Sequence, residues 1–282
     1  QTQGLWALDG AVSPDHRGRG VLEALLDSIE QEKEVEMATE VTPGGQRVML
    51  RKGWEDLGTV PIFIRPLDLG AIVAKRAGRL AGTAGEAIGL LWRGIELQAL
   101  AAAAHEGLAL EPIASFDGRA DRIWAQASPS YPVICRRDAA YLNWRFARFP
   151  KERYRLFYLV RSGSEPAGYC VLRTGARYGL SAGYIVDFLC APHWTRHLVA
   201  LCLQQFRRDR LAAVCCMHRN PVSSAPFLTL GFVPRSTSWP CVIKARDPAA
   251  AWFALAKDPA NWFLTGADSD LDRPRPEDSV DG

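Results

Sequence analysis

A short loop rich in glycine and arginine carries the clearest chemical signal in the chain. It reads Val12-Ser13-Pro14-Asp15-His16-Arg17-Gly18-Arg19-Gly20 and lies between an apolar, strand-like run and an apolar, helical run. Glycines let backbone N–H groups approach an anion closely, and the first turn of a helix adds positive potential there. Arg17 and Arg19 can add charge-assisted hydrogen bonds to phosphate oxygens. The pattern indicates an anion site, while a basic helix cap without a ligand explains the same residues equally well.

The elements on either side of this loop must hold it in place. Leu5–Val12 is predicted to be a buried strand, and Val21–Ile29 has apolar residues at helical spacing. A short helix should end at Gly53, and strand-like runs follow over residues 54–66. The loop contains neither the Gly-Lys-Ser/Thr of a Walker loop nor a Gly-x-Gly-x-x-Gly dinucleotide fingerprint, so the sequence excludes both kinds of nucleotide site.

The chain divides into four predicted regions. Residues 1–68 form the first, and residues 69–107, in which Ala, Gly and Leu dominate, form a connector of one or two helices. Residues 108–246 have the order β-α-α-β-β-β-α-β-α-β-β, which predicts a second α/β unit. Residues 247–282 are rich in Asp and Pro and are expected to form a tail. The expected fold class is therefore α/β with mixed sheets.

Composition and charge exclude several classes of protein. The chain has 282 residues, of which 48% are hydrophobic and 23% are charged, as in an ordinary globular protein. Its 34 basic and 31 acidic residues give a net charge of +3, which is too even a balance to indicate a nucleic-acid partner. No run of about 18 uncharged apolar residues occurs, so we expect no stable membrane insertion.

The seven cysteines predict a reducing compartment. Their number is odd, all lie at or after residue 135, and no Cys-x-x-Cys pair occurs. Disulfide frameworks favour small secreted chains with even counts. Since no signal peptide is present at the start, we expect packed thiols in a cytoplasmic protein. The chain also opens at Gln1 without an initiator Met, which predicts a fragment of a longer protein.

Two stretches of the first region together resemble the GNAT acyltransferase superfamily. The first stretch is the run Leu5–Val12 followed by Pro14 and by Arg17-Gly18-Arg19-Gly20, which opens an apolar helix. The second, Arg51-Lys52-Gly53-Trp54-Glu55-Asp56-Leu57-Gly58, looks like that family's helix-to-strand step. The resemblance implies tandem GNAT-like folds with a truncated first copy. It also implies a bacterial N-acyltransferase that uses acetyl-CoA or another acyl-CoA as co-substrate.

The same resemblance implies roles for individual residues. In the family, the arginine–glycine loop binds the pyrophosphate of the acyl-CoA through backbone amides, and the pantetheine arm lies along the neighbouring strand. This assigns donor binding to Ala11, Val12, Arg17, Gly18, Arg19, Gly20, Val21 and Leu22. Asp9, on the strand that leads into the loop, is a candidate general base, and a carboxylate bonded only to backbone is the alternative.

Three departures from the family pattern affect the reading of the first region. Leu22 stands where the family usually has Gly or Ala. Met49 stands where a tyrosine often serves as general acid, four residues before the glycine of the helix-to-strand step. The family's first strands and helices, which close the acceptor side, would precede Gln1.

Residues 108–246 look like a second GNAT copy whose donor loop is degenerate. The step Leu230-Gly231-Phe232 is present, but Ala191–His197 contains no glycine, and Pro192 removes a backbone donor. We therefore expect this copy not to bind CoA. The tandem arrangement resembles Fem-type aminoacyl transferases and bacterial acetyltransferases of polysaccharide pathways, through Arg137–Phe146 and Trp262–Pro274.

The acceptor implied by this resemblance is an amine on a small molecule or a glycan, such as a sugar or a cell-surface polysaccharide precursor. Two alternatives remain open from the sequence. One is a non-catalytic tandem module that binds CoA or a partner, and the other is a Fem-type aminoacyl transferase. The sequence leaves the oligomeric state undetermined.

Several further polar residues have both a functional and a structural interpretation. Asp268-x-Asp270-x-Asp272 has the first ligand positions of a calcium loop but lacks its glycine and its final glutamate, so we expect no metal. The histidines at positions 193, 197 and 218 lack an evident third ligand and are expected to be packed or at the surface. Asn143 and Arg145 either recognise an acceptor or belong to an ordinary packed helix.

Overall fold

The computed structural model describes residues 4–7, 10, 12–29, 33–148, 154–162, 166–177, 179–238, 240–268 and 272. Its strands, in chain order, are β1 (Gly4–Trp6), β2 (Val35–Thr39), β3 (Glu55–Thr59), β4 (Ile62–Pro66), β5 (Leu108–Ile113), β6 (Val133–Ile134), β7 (Arg155–Arg161), β8 (Pro166–Arg177), β9 (Leu180–Cys190), β10 (Ala213–Arg219), β11 (Val233–Arg235), β12 (Pro240–Ala245) and β13 (Trp262–Thr265). Its helices are α1 (Val21–Ile29), α2 (Pro43–Arg51), α3 (Leu69–Ala77), α4 (Arg79–His105), α5 (Gly118–Ala127), α6 (Ala139–Leu142), α7 (Thr195–Arg208), α8 (Pro221–Thr229) and α9 (Ala251–Ala256).

The smaller sheet has four strands in the order β1-β2-β12-β3. β1 is parallel to β2, and β12 is antiparallel to both β2 and β3. Apolar residues of α1 and α2 pack on this sheet in a cluster of Leu26, Ala38, Met49, Trp54 and Val242. The sheet with α1 and α2 is named the first unit below.

The larger sheet runs in the order β11-β4-β10-β9-β8-β7-β5, and β13 pairs with both β10 and β6. Its β7, β8 and β9 form an antiparallel meander with almost wholly buried side chains. α5 and α7 pack against this sheet, and the combined core contains most of the buried aromatic residues of the chain. The mixed α/β class predicted from the sequence is confirmed. This sheet with α5 to α8 is named the second unit.

The two units exchange strands. β4 lies between β10 and β11 of the larger sheet, with Ile64 opposite Cys215. β12 lies between β2 and β3 of the smaller sheet, with Ile243 opposite Met37. Strand pairing therefore joins the predicted regions 1–68 and 108–246, because each sheet is completed by a strand from the other region.

Residues 69–107 contain the predicted helices as a hairpin. Gly82 and Gly85 of α4 lie against α3 so closely that an added Cβ would meet Ala74 Cβ at 2.7 Å and the carbonyl oxygen of Leu69 at 3.1 Å. By length and composition alone, Leu80–His105 is the one helix among the described residues that could cross a membrane, and only 17% of its most apolar window is buried. Its Glu96 is fully buried and forms ion pairs with Arg93 and Arg207.

Within the predicted tail at residues 247–282, the segment from residue 251 to Asp268 contains helical turns and a strand. α9 packs Phe253 into the core beside the smaller sheet, and β13 buries Trp262 and Phe263. The Asp and Pro content of the segment masked this short apolar strand. Burial of its aromatic side chains contributes roughly 1.5–3 kcal/mol each to stability, which is enough to hold the segment on the sheet.

Candidate functional site

The arginine–glycine loop leaves β1 through a single 3-10 turn. His16 N–H donates to Ser13 C=O at 2.9 Å, and Arg17 N–H donates to Pro14 C=O at 3.2 Å. The Arg17 side chain folds back, with Nε donating to the carbonyl oxygen of Val12 at 3.2 Å. Gly18 and Gly20 then adopt φ of +73° and +76°, a region that glycine enters at little cost. The sequence thus supplies glycine at both positions where the backbone needs it.

Six consecutive backbone N–H groups, from Gly18 to Glu23, make no hydrogen bond within the described residues. The first helical bond of α1 runs from Ala24 N–H to Gly20 C=O at 3.0 Å. No atom lies within 4 Å of an added Cβ at Gly18 or at Gly20, so space in front of the loop is open. Free donors at the N-terminus of a nine-residue helix form the arrangement that binds an anion.

The remaining predicted donor residues are placed as follows. Arg19 is exposed, and Val12, Val21 and Leu22 are half-buried. Leu22 packs against the cluster of α1 and α2 named above, which accounts for a large apolar residue at this position. Asp9 and Ala11 lie outside the described residues, so their roles stay predictions. Met49 is buried, and Phe227, four residues before Gly231, is its counterpart in the second unit, so neither position supplies a hydroxyl.

The corresponding loop of the second unit has a different geometry. Pro192–Trp194 forms a 3-10 turn, and the fully buried Thr195 begins α7 with its Oγ1 at 3.7 Å from Cys190 Sγ. Burial raises the pKa of the Cys190 thiol to about 12. The rings of His193 and His197 both lie near the Trp194 ring, with centroid distances of 4.5 and 5.6 Å. The absence of CoA binding by this unit stays a prediction.

In the second unit, another segment of the protein lies between strands β9 and β10, which diverge. β9 and β10 pair only through Ala213, Val214 and Cys215 of β10. Farther along β10, β13 takes over, with His218 opposite Thr265. β9 bulges at Val186, and an added Cβ on Gly266 would lie 3.1 Å from the Val186 carbonyl oxygen. The segment after β12 therefore fills the gap that the two strands leave.

A buried ionic network holds this segment down. Arg137, fully buried, donates to Asp187 at 3.2 Å and to Asp268 at 2.5 Å. Thr265 Oγ1 donates to Asp187 at 2.7 Å, and the hydroxyl of Tyr169 donates to the other Asp187 oxygen, also at 2.7 Å. Burial raises the pKa of Tyr169 well above its usual value. One arginine thus ties two carboxylates together, Asp187 of β9 and Asp268 after β13, and burial raises the pKa of Asp268.

The other polar residues singled out in the sequence also hold the fold together. Asn143 bonds both backbone groups of Phe116, at 2.8 and 2.7 Å. Arg145 donates to Asp272 at 2.5 Å, and Tyr154 donates to the second oxygen of the same carboxylate. Asp270 of the former calcium pattern lies outside the described residues. Among the residues the structure describes, no group of three or more His, Cys, Asp or Glu is placed to hold a metal ion.

A cleft of about 430 Å³ opens where the two units meet. Its walls are the β3–β4 turn, the end of β10, the start of α8 and a short turn before β13, contributed by Leu57, Gly58, Thr59, Pro61, His218, Arg219, Asn220, Pro221, Ser224, Pro259 and Ala260. Asn220 Oδ1 accepts hydrogen bonds from the N–H groups of Val222 and Ser223 and so caps α8. The cleft was not predicted from the sequence, because its walls come from three distant stretches of chain.

His218 lies behind this cleft in a wholly buried position. Its Nδ1 is 2.8 Å from the carbonyl oxygen of Leu264, and its Nε2 is 2.7 Å from Ser223 Oγ. Burial lowers the pKa of His218 to about 3, because the charged imidazolium is poorly solvated there. The ring is therefore neutral at neutral pH and fixed between two partners.

This pKa predicts acid sensitivity of the fold. The unfolded chain binds a proton at His218 below about pH 6.5, whereas the folded chain does so only near pH 3. Stability should therefore be fully present above pH 6.5 and fall as the pH drops towards 3, by up to about 1.4 kcal/mol per unit. Urea denaturation at pH 7.0 and 5.0 measures this loss, and His218→Gln should reduce the difference. An unchanged pH dependence in that variant would contradict the assignment.

Comparison with known proteins gives a similarity of fold. No protein-family model matches the chain, and no curated protein sequence matches it. A GCN5-related N-acetyltransferase from Anabaena variabilis superposes with a TM-score of 0.54 at 16% identity, over 84% of this chain and 53% of that one. A probable N-acyltransferase of unknown function from Enterococcus faecalis gives 0.57 at 11% identity, over 94% of this chain and 64% of that one.

A third structure extends the same result. A GCN5-related N-acetyltransferase from Kribbella flavida gives a TM-score of 0.50 at 11% identity, over 86% of this chain and 52% of that one. The chain thus spans between about half and two thirds of the length of these structures. Over most of its length, the chain is similar in fold to GCN5-related N-acetyltransferases.

Proposed function

We propose that the chain is an acyl-CoA-dependent N-acyltransferase whose first unit binds the donor. The observation that carries this proposal is the run of free N–H groups from Gly18 to Glu23 at the start of α1. A pyrophosphate fits such a site because it presents several oxygens to backbone donors and to the positive end of the helix. Arg17 and Arg19 flank the loop and add charge.

The donor supplies an activated thioester, and an amine accepts the acyl group with release of free thiol. The chain's part is to bind the pyrophosphate at the loop and to place the acyl group beside β1 and β2. Because Met49 and Phe227 carry no hydroxyl, neither unit has a general acid at the position where the resemblance places one. Proton transfer from the amine is assigned to Asp9 as part of the proposal.

A non-catalytic module that binds CoA is the second candidate, and the two missing hydroxyls favour it. Release of thiol from acetyl-CoA, followed with a thiol-reactive dye, separates the two candidates. Thiol release that depends on an added amine supports the transferase. Binding of CoA by calorimetry without any turnover over a panel of amines, amino acids and amino sugars supports the module. Absence of both binding and turnover overturns both proposals.

A further inference from the structure

Arg219, at the end of β10, is a buried arginine without a carboxylate. Its side chain is 8% exposed, and Nη2 donates to the carbonyl oxygen of Thr59 at 2.6 Å. Nη1 is buried and has no hydrogen-bond partner, and among the described residues no carboxylate forms an ion pair with Arg219, although the charge of Asp56 acts on it at longer range and raises its pKa against the larger effect of burial. The buried Arg137 and Arg145, by contrast, each contact at least one aspartate.

A buried guanidinium in this position lowers the stability of the protein when no ligand is bound. Burial removes water from the charge, and one backbone carbonyl restores only part of the lost interaction. Burial accordingly lowers the pKa of Arg219. Arg173 is likewise buried and forms no ion pair with a described carboxylate, but its guanidinium lies over the ring of Tyr184, whereas Arg219 is among the residues that line an open space.

That space is the cleft of about 430 Å³ described above, a volume that suits a small molecule. No acidic residue is among those that line it, and Arg219 is the one arginine or lysine among them. Ser224 adds a hydroxyl without a partner in the part of the chain that the structure describes. The cleft also borders the first turn of the nine-residue helix α8, whose dipole favours negative charge, although Asn220 already accepts hydrogen bonds from the first N–H groups of that helix.

Sheet topology places this cleft at the same end of the smaller sheet as the arginine–glycine loop. β1, β2 and β3 all run in one direction, because β12 is antiparallel to both β2 and β3. The loop follows the carboxyl end of β1, and Thr59 of the cleft ends β3. Three strand spacings separate the ends of β1 and β3, which is about 14 Å.

We propose that this cleft binds the carboxylate of a small acceptor, with Arg219 as its counter-ion. The acceptor is then an amine that also carries a carboxylate, such as an amino acid or an amino sugar acid. Arg219 is among the residues that line the cleft, where its guanidinium pairs with the carboxylate, and the Ser224 hydroxyl lies in the same cleft. The role of the bound molecule as acceptor rests on the proposed function, whereas carboxylate binding does not.

Binding is tested without CoA, on the whole chain, with matched pairs of probes. Each amino acid of a panel is titrated against its own primary amide, such as glycine against glycinamide, and D-glucuronate against D-glucose. Thermal shift and calorimetry measure the preference. We expect at least one compound with a carboxylate to bind tenfold or more tightly than its partner without the carboxylate. Absence of any such preference in the wild-type chain overturns the proposal.

Two variants of the cleft and one control sharpen the test. Arg219→Gln should remove the preference, and Ala260→Phe should reduce binding by filling the cleft while keeping the charge. Arg173→Gln is the control, because Arg173 is equally buried but lies in β8, over the ring of Tyr184. A preference unchanged by Arg219→Gln means that Arg219 only ties β10 to Thr59, which overturns the proposal.

Failure of this inference is distinguishable from failure of the proposed function. Carboxylate binding without any thiol release from acetyl-CoA leaves the cleft in place and removes only its role as acceptor site. Thiol release with amines that lack a carboxylate, at the same rate in Arg219→Gln, keeps the transferase and overturns the cleft's role.

Discussion

Replacing Gly20 by valine should abolish CoA binding while α1 stays folded. Gly20 has a φ of +76°, and nothing lies within 4 Å of an added Cβ. Valine is therefore strained in this backbone conformation, and its branched side chain enters the space that a phosphate would occupy. The free N–H groups that follow would lose both their alignment and their access. We expect a loss of affinity of about a hundredfold or more, measured by calorimetric titration with CoA.

Removing the charge at Arg19 tests the same loop more gently. One charge-assisted hydrogen bond contributes about 1.5–3 kcal/mol to binding. Arg19→Ala should therefore lower the affinity for CoA by about ten- to a hundredfold. Added salt should weaken CoA binding by the wild-type chain, because the loop is exposed and salt screens its charges.

Matched controls exist in α2 of the same unit. Gly44→Ala alters an exposed glycine with no neighbour within 4 Å and no positive φ, and Arg47→Ala removes an exposed arginine. Both should bind CoA like the wild type. If the loop variants also bind like the wild type, the loop is a helix cap, and the transferase proposal loses its main support.

Val242→Asp should unfold the first unit, although residue 242 lies in the second half of the chain. Val242 of β12 is fully buried beside Leu26, Met49 and Trp54. A carboxylate there has no partner, and an unpaired buried charge costs about 3–5 kcal/mol, a large part of the stability of a domain. Because the same cluster supports α1, CoA affinity should fall together with protection of the α1 amides from hydrogen exchange.

Arg246→Asp is the control for this variant, since residue 246 follows the same strand and is exposed. It adds the same acidic group without burying it, so α1 should keep its protection and the loop its affinity. Full protection of α1 in Val242→Asp would mean that the first unit does not depend on β12, which contradicts the observed strand pairing.

Local signals in the sequence were sufficient for most individual elements. The apolar spacing of Val21–Ile29 and the glycine stop at Gly53, with φ of +82°, gave α1 and the end of α2. These features depend on residues within one or two turns of each other, so their physical causes are present in any short window of sequence. The two glycines of the arginine–glycine loop, Gly18 and Gly20, were predictable for the same reason.

Non-local features were not predictable in this way. β2, Val35–Thr39, was not predicted, because it follows a charged stretch and contains Glu36 within an otherwise apolar run. The exchange of β4 and β12 depends on pairing between distant segments, which no local periodicity encodes. Arg219 was not singled out from the sequence, where the available signal was a basic residue at the end of an apolar, cysteine-rich run.

The strand exchange also dictates when the chain can finish folding as it is made. Thr39 and its partner Cys241 are separated by about 200 residues, and β12 is the last strand to enter the smaller sheet. At roughly 5–20 residues per second, a ribosome needs about 10–40 s to reach β12 after β3 has emerged. For that interval, β2 and β3 face each other across an empty strand position with unpaired backbone groups, which is a template for joining other chains. We therefore expect the nascent first half to be the stage most exposed to pairing with other chains.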